Sequence, residues 1–441
     1  MIVNQLVEKA MKKAQGAQAT LWQSESTKVS FENDKLKSAQ SSQRTQINVK
    51  VIVDGKVGTS HTTDVHDLDG VVTRALESAE FGSPAHFQFP GPQEGTEVKV
   101  YDDAVLPVTK PEMIQTAQEM MELIKQHNSD ILVNAGISKS VSRGEFANSG
   151  GVEFTRETTD FGVSISGQLV RGTDILLAGH GFGWKKRAID HVAIAEQVIG
   201  WFRMAETIAP IKSGDMPVIF APVGMGVLGL TLVLGFNGKN VLLGSSPLAG
   251  KLGKKIADQR LSFIDNPLID YAGNSSKYDG EGIPRQVTPL IENGVVRNFL
   301  YDLDTAGRAG TKTTGHGTGC NPTNLLVKEG DMPYEEMVKS IKEGLLVLDV
   351  MGLGQGNPIS GEFSVNVQLG YKIEDGEVVG RVKDVMLAGN VYDALNDIVA
   401  IGDKAEWLSA FGGSYLIPPI QIGSLSVVAR QNMALAQERR R

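Results

Sequence analysis

Cysteine is almost absent from this chain of 441 residues, which contains Cys320 and no other cysteine. A disulfide framework needs paired cysteines, so that class of fold is excluded, and the composition fits a reducing cytoplasm. The first ten residues have the pattern of an amphipathic helix that includes Glu8, which is not typical of a signal peptide. We therefore expect a cytoplasmic protein.

An excess of positive charge is also lacking. The chain has 43 Lys and Arg residues against 51 Asp and Glu residues, which gives a formal net charge of −8. A large nucleic-acid surface requires a surplus of basic side chains to contact phosphates. The sequence therefore predicts no nucleic-acid partner.

One long uncharged run, residues 216–238, is interrupted by Pro217 and Pro222 and contains several glycines. It predicts a short strand over 218–221 and then a buried helix of about 13 residues, or about 20 Å. A hydrocarbon core is about 30 Å thick, so we expect no membrane span. The run also contains the spacing Gly-x-Gly-x-x-Gly over 224–229, but no acidic residue follows before Asp258 to hold a ribose. Close packing of a helix on a sheet is the favoured interpretation.

The hydrophobic periodicity predicts an α+β protein. A helix, antiparallel strands and a second helix occur in that order twice, and the two units could share one curved sheet. Thr109 and Glu112 form the capping box of the second unit. From residue 212 onward, glycine-rich turns separate predicted antiparallel strands, among them 295–302 and 377–386, with a hairpin signal at Glu374-Asp-Gly376. Helices are few in this part, and one is predicted at about 334–348. The predicted divisions are an N-terminal α/β unit at 1–85, a linker at 86–108, a second α/β unit at 109–211 and a β-rich domain at 212–441.

One long stretch is far more specific than these patterns. It runs from Asp279 to Asp302 and continues through Thr313-Thr-Gly-His-Gly317. It resembles the TldD/PmbA family, once described as modulators of DNA gyrase and now regarded as metallopeptidases with partner subunits. The resemblance covers essentially the whole chain. It implies an N-terminal α/β portion and a C-terminal β-rich domain, in agreement with the periodicity.

The zinc motif that one subunit type of the family carries, His-Glu-x-x-x-His, does not occur in this sequence. Hydrolytic zinc needs two histidines one helical turn apart and a glutamate that accepts a proton from bound water. Aligned on the run that begins at Gly226, the motif positions are occupied by Leu230, Thr231 and Gly235. The family's third ligand, a cysteine near the C-terminus, is absent too. The chain thus resembles the PmbA (TldE) type of subunit, with no catalytic residue and no metal of its own.

Two residues of the family stretch are candidates for substrate binding. His316 is expected to line a cleft, and the Glu281 carboxylate could orient a peptide, although a turn-capping role is at least as well supported. A zinc site formed by His316 and Cys320 lacks a third ligand. Around His61 and His66, a strand end and an acidic helix start are favoured over a metal site.

The leading hypothesis is a metal-free subunit of a cytoplasmic peptidase, in which zinc is held only by the partner. Its partner would be a relative that carries His-Glu-x-x-x-His, and together they would enclose a cleft for unfolded peptides, bound as an added β-strand. The first alternative is a homodimeric peptide-binding protein or hydrolase with a different site near His316. The second is a metal-free binding module without a peptidase partner.

Overall fold

The computed structural model describes residues 1–353, 357–410 and 413–429. The helices are α1 (Ile2–Met11), α2 (Leu68–Ser78), α3 (Lys110–His127), α4 (His191–Met204), α5 (Gly226–Phe236), α6 (Gly238–Leu242), α7 (Leu303–Ala309), α8 (Tyr334–Lys339) and α9 (Val391–Asn396). Among the described residues, no helix combines the length and the apolar character that crossing a membrane requires.

The N-terminal half forms a single six-stranded antiparallel sheet in the order β3-β2-β1-β4-β5-β6. Its strands are β1 (Gly16–Glu32), β2 (Lys35–Val53), β3 (Lys56–Thr62), β4 (Leu132–Asn148), β5 (Glu153–Arg171) and β6 (Asp174–Trp184). Asp54 and Gly55 both have positive φ, 49° and 72°, as a two-residue hairpin turn requires. The two predicted helix–strands–helix units thus contribute to one sheet.

The C-terminal half contains two further sheets. One has the order β12-β7-β19-β15-β13-β14, with β16 on β19, and the other has the order β10-β9-β8-β11-β18-β17. Pairing is antiparallel except between β7 and β12 and between β11 and β18. The strands are β7 (Gly214–Phe220), β8 (Phe263–Asp265), β9 (Thr288–Glu292), β10 (Val295–Val296), β11 (Asn324–Val327), β12 (Glu343–Met351), β13 (Glu362–Glu374), β14 (Glu377–Arg381), β15 (Val385–Asn390), β16 (Ile398–Ile401), β17 (Glu406–Ala410), β18 (Gly413–Ile417) and β19 (Ile420–Ala429). The α+β prediction is confirmed.

Helices cover only one face of the N-terminal sheet. Alternation along β1 places Val29 in the core with α3 and α4, and Ala17 in the core with α1 and α2. The core around α3 and α4 also includes residues of the seven-stranded sheet, and the buried Tyr371 hydroxyl donates to the Trp201 carbonyl at 2.7 Å. The helix pair is therefore packed between two sheets. The opposite face of the N-terminal sheet carries Gln18, Trp22 and Lys28, which line cavities.

Several predicted elements were wrong in type or extent. The helix expected over 334–348 ends at Lys339, and the rest of that span belongs to β12. β12 pairs with β13 as well as with β7, and its residues 344–348 are all buried, so both of its faces are covered. The sequence therefore has no strand alternation there, and its apolar run was interpreted as a helix. The strand expected over 295–302 ends at Val296, because Asp302 caps α7 by accepting from the Thr305 N–H at 2.8 Å. The strand expected over 377–386 divides into β14 and β15, and β6 was not predicted.

Candidate functional site

Helix α5 holds the three positions at which the zinc motif would stand, and two of them make specific contacts. Thr231 is buried, and its hydroxyl donates to the Pro358 carbonyl at 2.9 Å. Pro358 begins a short 3₁₀ helix that ends at Ser360. Thr231 therefore joins α5 to the segment that leads into β13.

Gly235 is closed in by a tyrosine. A Cβ atom built at Gly235 would lie 2.7 Å from the Tyr392 hydroxyl oxygen and 3.3 Å from Cδ1 of Leu248. Burial raises the pKa of Tyr392 to about 12, so its hydroxyl group is neutral. The hydroxyl donates a hydrogen bond to the Ile359 carbonyl at 3.4 Å. An imidazole has no room at position 235 unless Tyr392 moves.

Zinc, which the family resemblance implies for its motif-bearing subunits, does not fit these residues. Leucine and glycine offer no ligand atoms, and the Thr231 hydroxyl is already engaged with Pro358. Over the described ranges 1–353, 357–410 and 413–429, no group of three or more His, Cys, Asp or Glu residues is arranged to hold a metal ion.

The predicted site residue Glu281 lies in a turn where the 279–320 segment meets the N-terminal sheet. Its Oε1 is 3.4 Å from Nζ of Lys50 on β2, and its Oε2 accepts from the Leu303 N–H at 2.8 Å. Burial raises the pKa of Glu281, an effect that attraction by Lys50 and the Leu303 hydrogen bond oppose. The neighbouring Asp279 accepts from the Ile283 N–H at 2.9 Å and the Gly317 N–H at 2.7 Å. These carboxylates hold the turn against β2, and substrate binding by Glu281 stays a prediction.

The other predicted site residue, His316, is completely enclosed, with 0% of its side chain exposed. Its Nε2 is 2.9 Å from Oδ2 of Asp265, and its Nδ1 is 2.9 Å from the Thr314 hydroxyl. Asp265 also accepts from the N–H of Thr323 at 2.6 Å and from its hydroxyl at 2.7 Å. The imidazole thus ties the 313–317 loop to β8. A peptide cannot touch it in this conformation, so cleft lining by His316 has no support from the geometry.

Cys320 does not share a site with His316. Its sulfur accepts from the Asp302 N–H at 3.3 Å and lies 3.5 Å from the Thr305 hydroxyl, at the start of α7. Burial raises the pKa of the Cys320 thiol, so the reactive thiolate is disfavoured. The thiol packs as a small core residue in the C-terminal domain.

A cavity of about 590 Å³ lies where the open face of the N-terminal sheet meets the start of α5. One row of its floor runs across four strands from Ser30 to Gly136, Ser164 and Gly181, which are consecutive cross-strand partners. A Cβ at Gly181 would lie 2.6 Å from the Ser164 backbone, so glycine is required for the close approach. Alternating serine and glycine leave a flat polar floor that an extended peptide could cover.

Two titratable residues contribute to the lining of the same cavity. Burial lowers the pKa of His180 on β6, which pairs with the core residue Ile165, so its ring lies on the helix-covered side and meets the Trp201 ring edge-on at 5.7 Å. Burial raises the pKa of Asp349 on β12, which in the described part of the chain accepts a local hydrogen bond from the Val350 N–H at 2.8 Å. Sequence reasoning missed both, because β6 was not predicted and β12 was assigned to a helix. Leu230, Thr231 and Gly235 do not line this cavity, which reaches only the first turn of α5.

Comparison with solved structures defines the class of fold. The crystal structure of TldE from Thermococcus kodakarensis matches with a TM-score of 0.90 over 97% of this chain and 100% of that chain, at 22% identity. The chain therefore has the fold of TldE.

Comparison of sequences defines the family. The model of the PmbA/TldA metallopeptidase C-terminal domain matches residues 213–429, and the model of PmbA/TldA metallopeptidase domain 1 matches residues 23–79. An uncharacterized protein of Methanocaldococcus jannaschii is 27% identical over 82% of this chain and 85% of its own length. The metalloprotease PmbA of Escherichia coli O157:H7 is 31% identical over 50% of this chain and 49% of its own length. The chain belongs to the PmbA/TldD family, and its match to that PmbA spans about half of the relative.

Proposed function

We propose that this chain is a metal-free subunit of a peptidase complex in the cytoplasm, and that it binds unfolded peptide for a zinc-bearing partner. The observation that carries the proposal is the packing at Gly235, where the Tyr392 hydroxyl occupies the place of a ligand side chain. With leucine and threonine at the other two positions, α5 is a structural helix in this subunit. Hydrolysis would then depend on a partner that supplies the metal.

The cavity at the start of α5 supports the peptide-binding part of the proposal. Its floor is made of small side chains on long strands, and its wall is the first turn of the helix whose counterpart carries the zinc motif in the other subunit type. An extended peptide laid there would meet backbone and serine hydroxyl groups rather than bulky side chains. Such a surface accepts many sequences, as a peptidase for unfolded chains requires.

The test is to purify the tagged chain from its native cells and to identify co-eluting proteins by mass spectrometry. We expect a stable heterodimer with a relative that carries His-Glu-x-x-x-His. We also expect hydrolysis of an unfolded test peptide by the pair, loss of hydrolysis on chelation, and its return when zinc is restored. A chain that elutes alone as a homodimer, without such a relative, contradicts the proposal. Hydrolysis by the chain alone after chelation would contradict it as well.

A further inference from the structure

A second cavity, of about 530 Å³, lies on the same open face of the N-terminal sheet at the opposite end of β1. Its floor is formed by β1, β2, β4 and β5, and one wall is the turn at Asp279 and Gly280. The floor side chains on β1 and β5 take no part in the contacts described above. Their arrangement is suited to binding a ligand.

Arg156 on β5 is a cation without an anionic partner. Its guanidinium lies 4.7 Å from the Trp22 ring, and the described part of the chain supplies it with no hydrogen bond and no ion pair. Burial, and secondarily repulsion by Arg285, lower the pKa of Arg156, whereas Asp279 raises it. A guanidinium that is half-buried, stacked and unpaired is suited to bind a carboxylate with two parallel hydrogen bonds.

The stacking is built into the sheet. Trp22 pairs with Gly144, and Gly144 pairs with Arg156, so the three residues form one cross-strand row. A Cβ at Gly144 would lie 2.8 Å from the Trp22 ring and 3.2 Å from Cγ of Arg156. Glycine therefore lets the indole and the arginine side chain lie flat across β4. The row holds the guanidinium in place before a ligand arrives.

Gln18 provides an unused acceptor in the same cavity. It is 6% exposed, its Nε2 donates to the Gly280 carbonyl at 3.1 Å, and its buried Oε1 has no donor among the described residues. The Gly280 carbonyl fixes the amide orientation, because a reversed amide would place two oxygens together. A buried acceptor without a donor is unfavourable, so a ligand N–H at this point would be stabilising.

The acidic groups around the cavity are already occupied. Glu145 accepts from the Ile2 N–H at 3.1 Å, and Asp279 accepts from the backbone N–H groups of its own turn. Lys50 lies 3.4 Å from the Glu281 carboxylate. Among the cations that line the cavity, Arg156 is therefore the one that has neither a hydrogen bond nor an ion pair in the described part of the chain. Phe146 and Phe154, whose rings stack at 4.8 Å, add an apolar wall.

From this juxtaposition we propose that the cavity binds the carboxyl-terminal end of a peptide. The terminal carboxylate contacts Arg156, and an apolar side chain packs near Trp22 and Phe154. Gln18 and Trp22 are separated by about 13 Å along β1, or about four extended residues at about 3.3 Å each, so a backbone N–H about four residues before the carboxylate donates to Gln18 Oε1. This inference rests on the peptide-binding part of the proposed function and is independent of a partner subunit.

The experiment measures binding of a fluorescent ten-residue peptide with an apolar C-terminal residue to the isolated full chain. One form has a free terminal carboxylate and the other a terminal amide. We expect the free acid to bind about 10-fold to 100-fold more tightly, as a charge-assisted bidentate pair allows. In Arg156→Gln this preference should disappear, and in Arg156→Lys most of it should be lost, because lysine cannot form the paired contact.

Arg143→Gln is the matched control, because Arg143 is an exposed arginine of the same sheet, paired with Glu157 at 2.8 Å. It should retain the full preference. Gly144→Ala keeps the Arg156 charge but displaces the cross-strand row of Trp22, residue 144 and Arg156. It should therefore weaken binding of the peptide that has a free terminal carboxylate. Melting temperatures show whether each variant is folded.

Equal affinity for acid and amide would overturn the proposal, as would a preference that survives in Arg156→Gln. An N-acetylated amino acid that binds as tightly as the peptide would overturn it too, because the chain before the carboxylate would then not be recognised. If the free acid shows no preference, the co-purification result is not affected. If no partner co-elutes, acid-specific peptide binding is not affected, so each proposal can be refuted without the other.

Discussion

Substitution of Gly235 by alanine tests whether α5 is a packed structural helix at the position of the second zinc ligand. Alanine favours a helix over glycine by up to about 1 kcal/mol. The added methyl group, however, would lie 2.7 Å from the Tyr392 hydroxyl oxygen. Overpacking of this kind costs about 1–3 kcal/mol, so we expect a net loss of about 0–2 kcal/mol.

A double-mutant cycle with Tyr392→Phe isolates that contact. Without the hydroxyl, the nearest atom to the added methyl among the described residues is Cδ1 of Leu248, at 3.3 Å, and alanine should then be neutral or stabilising. The expected coupling between the two substitutions is about 1–3 kcal/mol. Urea unfolding at pH 7 measures it. The phenol stays neutral there because the pKa of Tyr392 is raised to about 12.

Gly229→Ala is the control within the same helix. A Cβ at Gly229 meets only Tyr415, at 3.9 Å, which is an ordinary contact. This variant should therefore gain up to about 1 kcal/mol from helix propensity alone. If Gly235→Ala behaves like Gly229→Ala in the wild-type background, or if it has the same effect with and without the Tyr392 hydroxyl, the packing argument is refuted.

Three further substitutions test other parts of the structure. Thr231→Val removes the hydrogen bond to the Pro358 carbonyl and should cost about 1–3 kcal/mol in urea unfolding, whereas Thr231→Ser, which retains the hydroxyl, should cost less. Tyr371→Phe removes the hydroxyl that donates to the Trp201 carbonyl, which keeps the Ala205 N–H at 3.1 Å, and should cost about 0.5–1.5 kcal/mol; an unchanged midpoint would contradict the contact. Burial raises the pKa of Asp349, so the folded state binds more protons than the unfolded chain and loses stability as pH rises from about 4. Asp349→Asn should therefore have a higher melting temperature than wild type at pH 7, and this difference should disappear at about pH 4. An equal difference in melting temperature at both pH values would contradict the raised pKa of Asp349.

The sequence predicted parts of the first sheet, because the signals there are local, but it did not predict β6. The capping box at Thr109 and Glu112 is present in the structure, and Asp375-Gly376 turns with positive φ at both residues, as its sequence indicated. β12 was missed because a strand buried on both faces has no alternation to detect. Its type is set by its neighbours β7 and β13, which are distant in sequence.

The candidate sites were harder to predict than the fold. Glu281 and His316 drew attention because they lie in the most specific part of the sequence, yet both are buried by contacts with residues far along the chain. Arg156 and Gln18 have no motif around them. Their importance depends on a cross-strand row and on a carbonyl from residue 280, neither of which a single sequence displays. A signal was present in the serines and glycines that occupy the polar positions of β4 and β5, where exposed strands usually carry larger side chains.

The side chains in the stretch with the strongest family resemblance form a junction between the two halves of the molecule. Asp279 binds two loops through backbone N–H groups, Glu281 meets Lys50 on the N-terminal sheet, and His316 binds Asp265 on β8. Buried charged groups must be paired, so each of these residues depends on its partner, and the set holds the C-terminal domain against one end of the open sheet face. Under the proposed function, that face is what a peptide would contact. A subunit without the zinc motif would then still need the junction, because the junction holds the face in position.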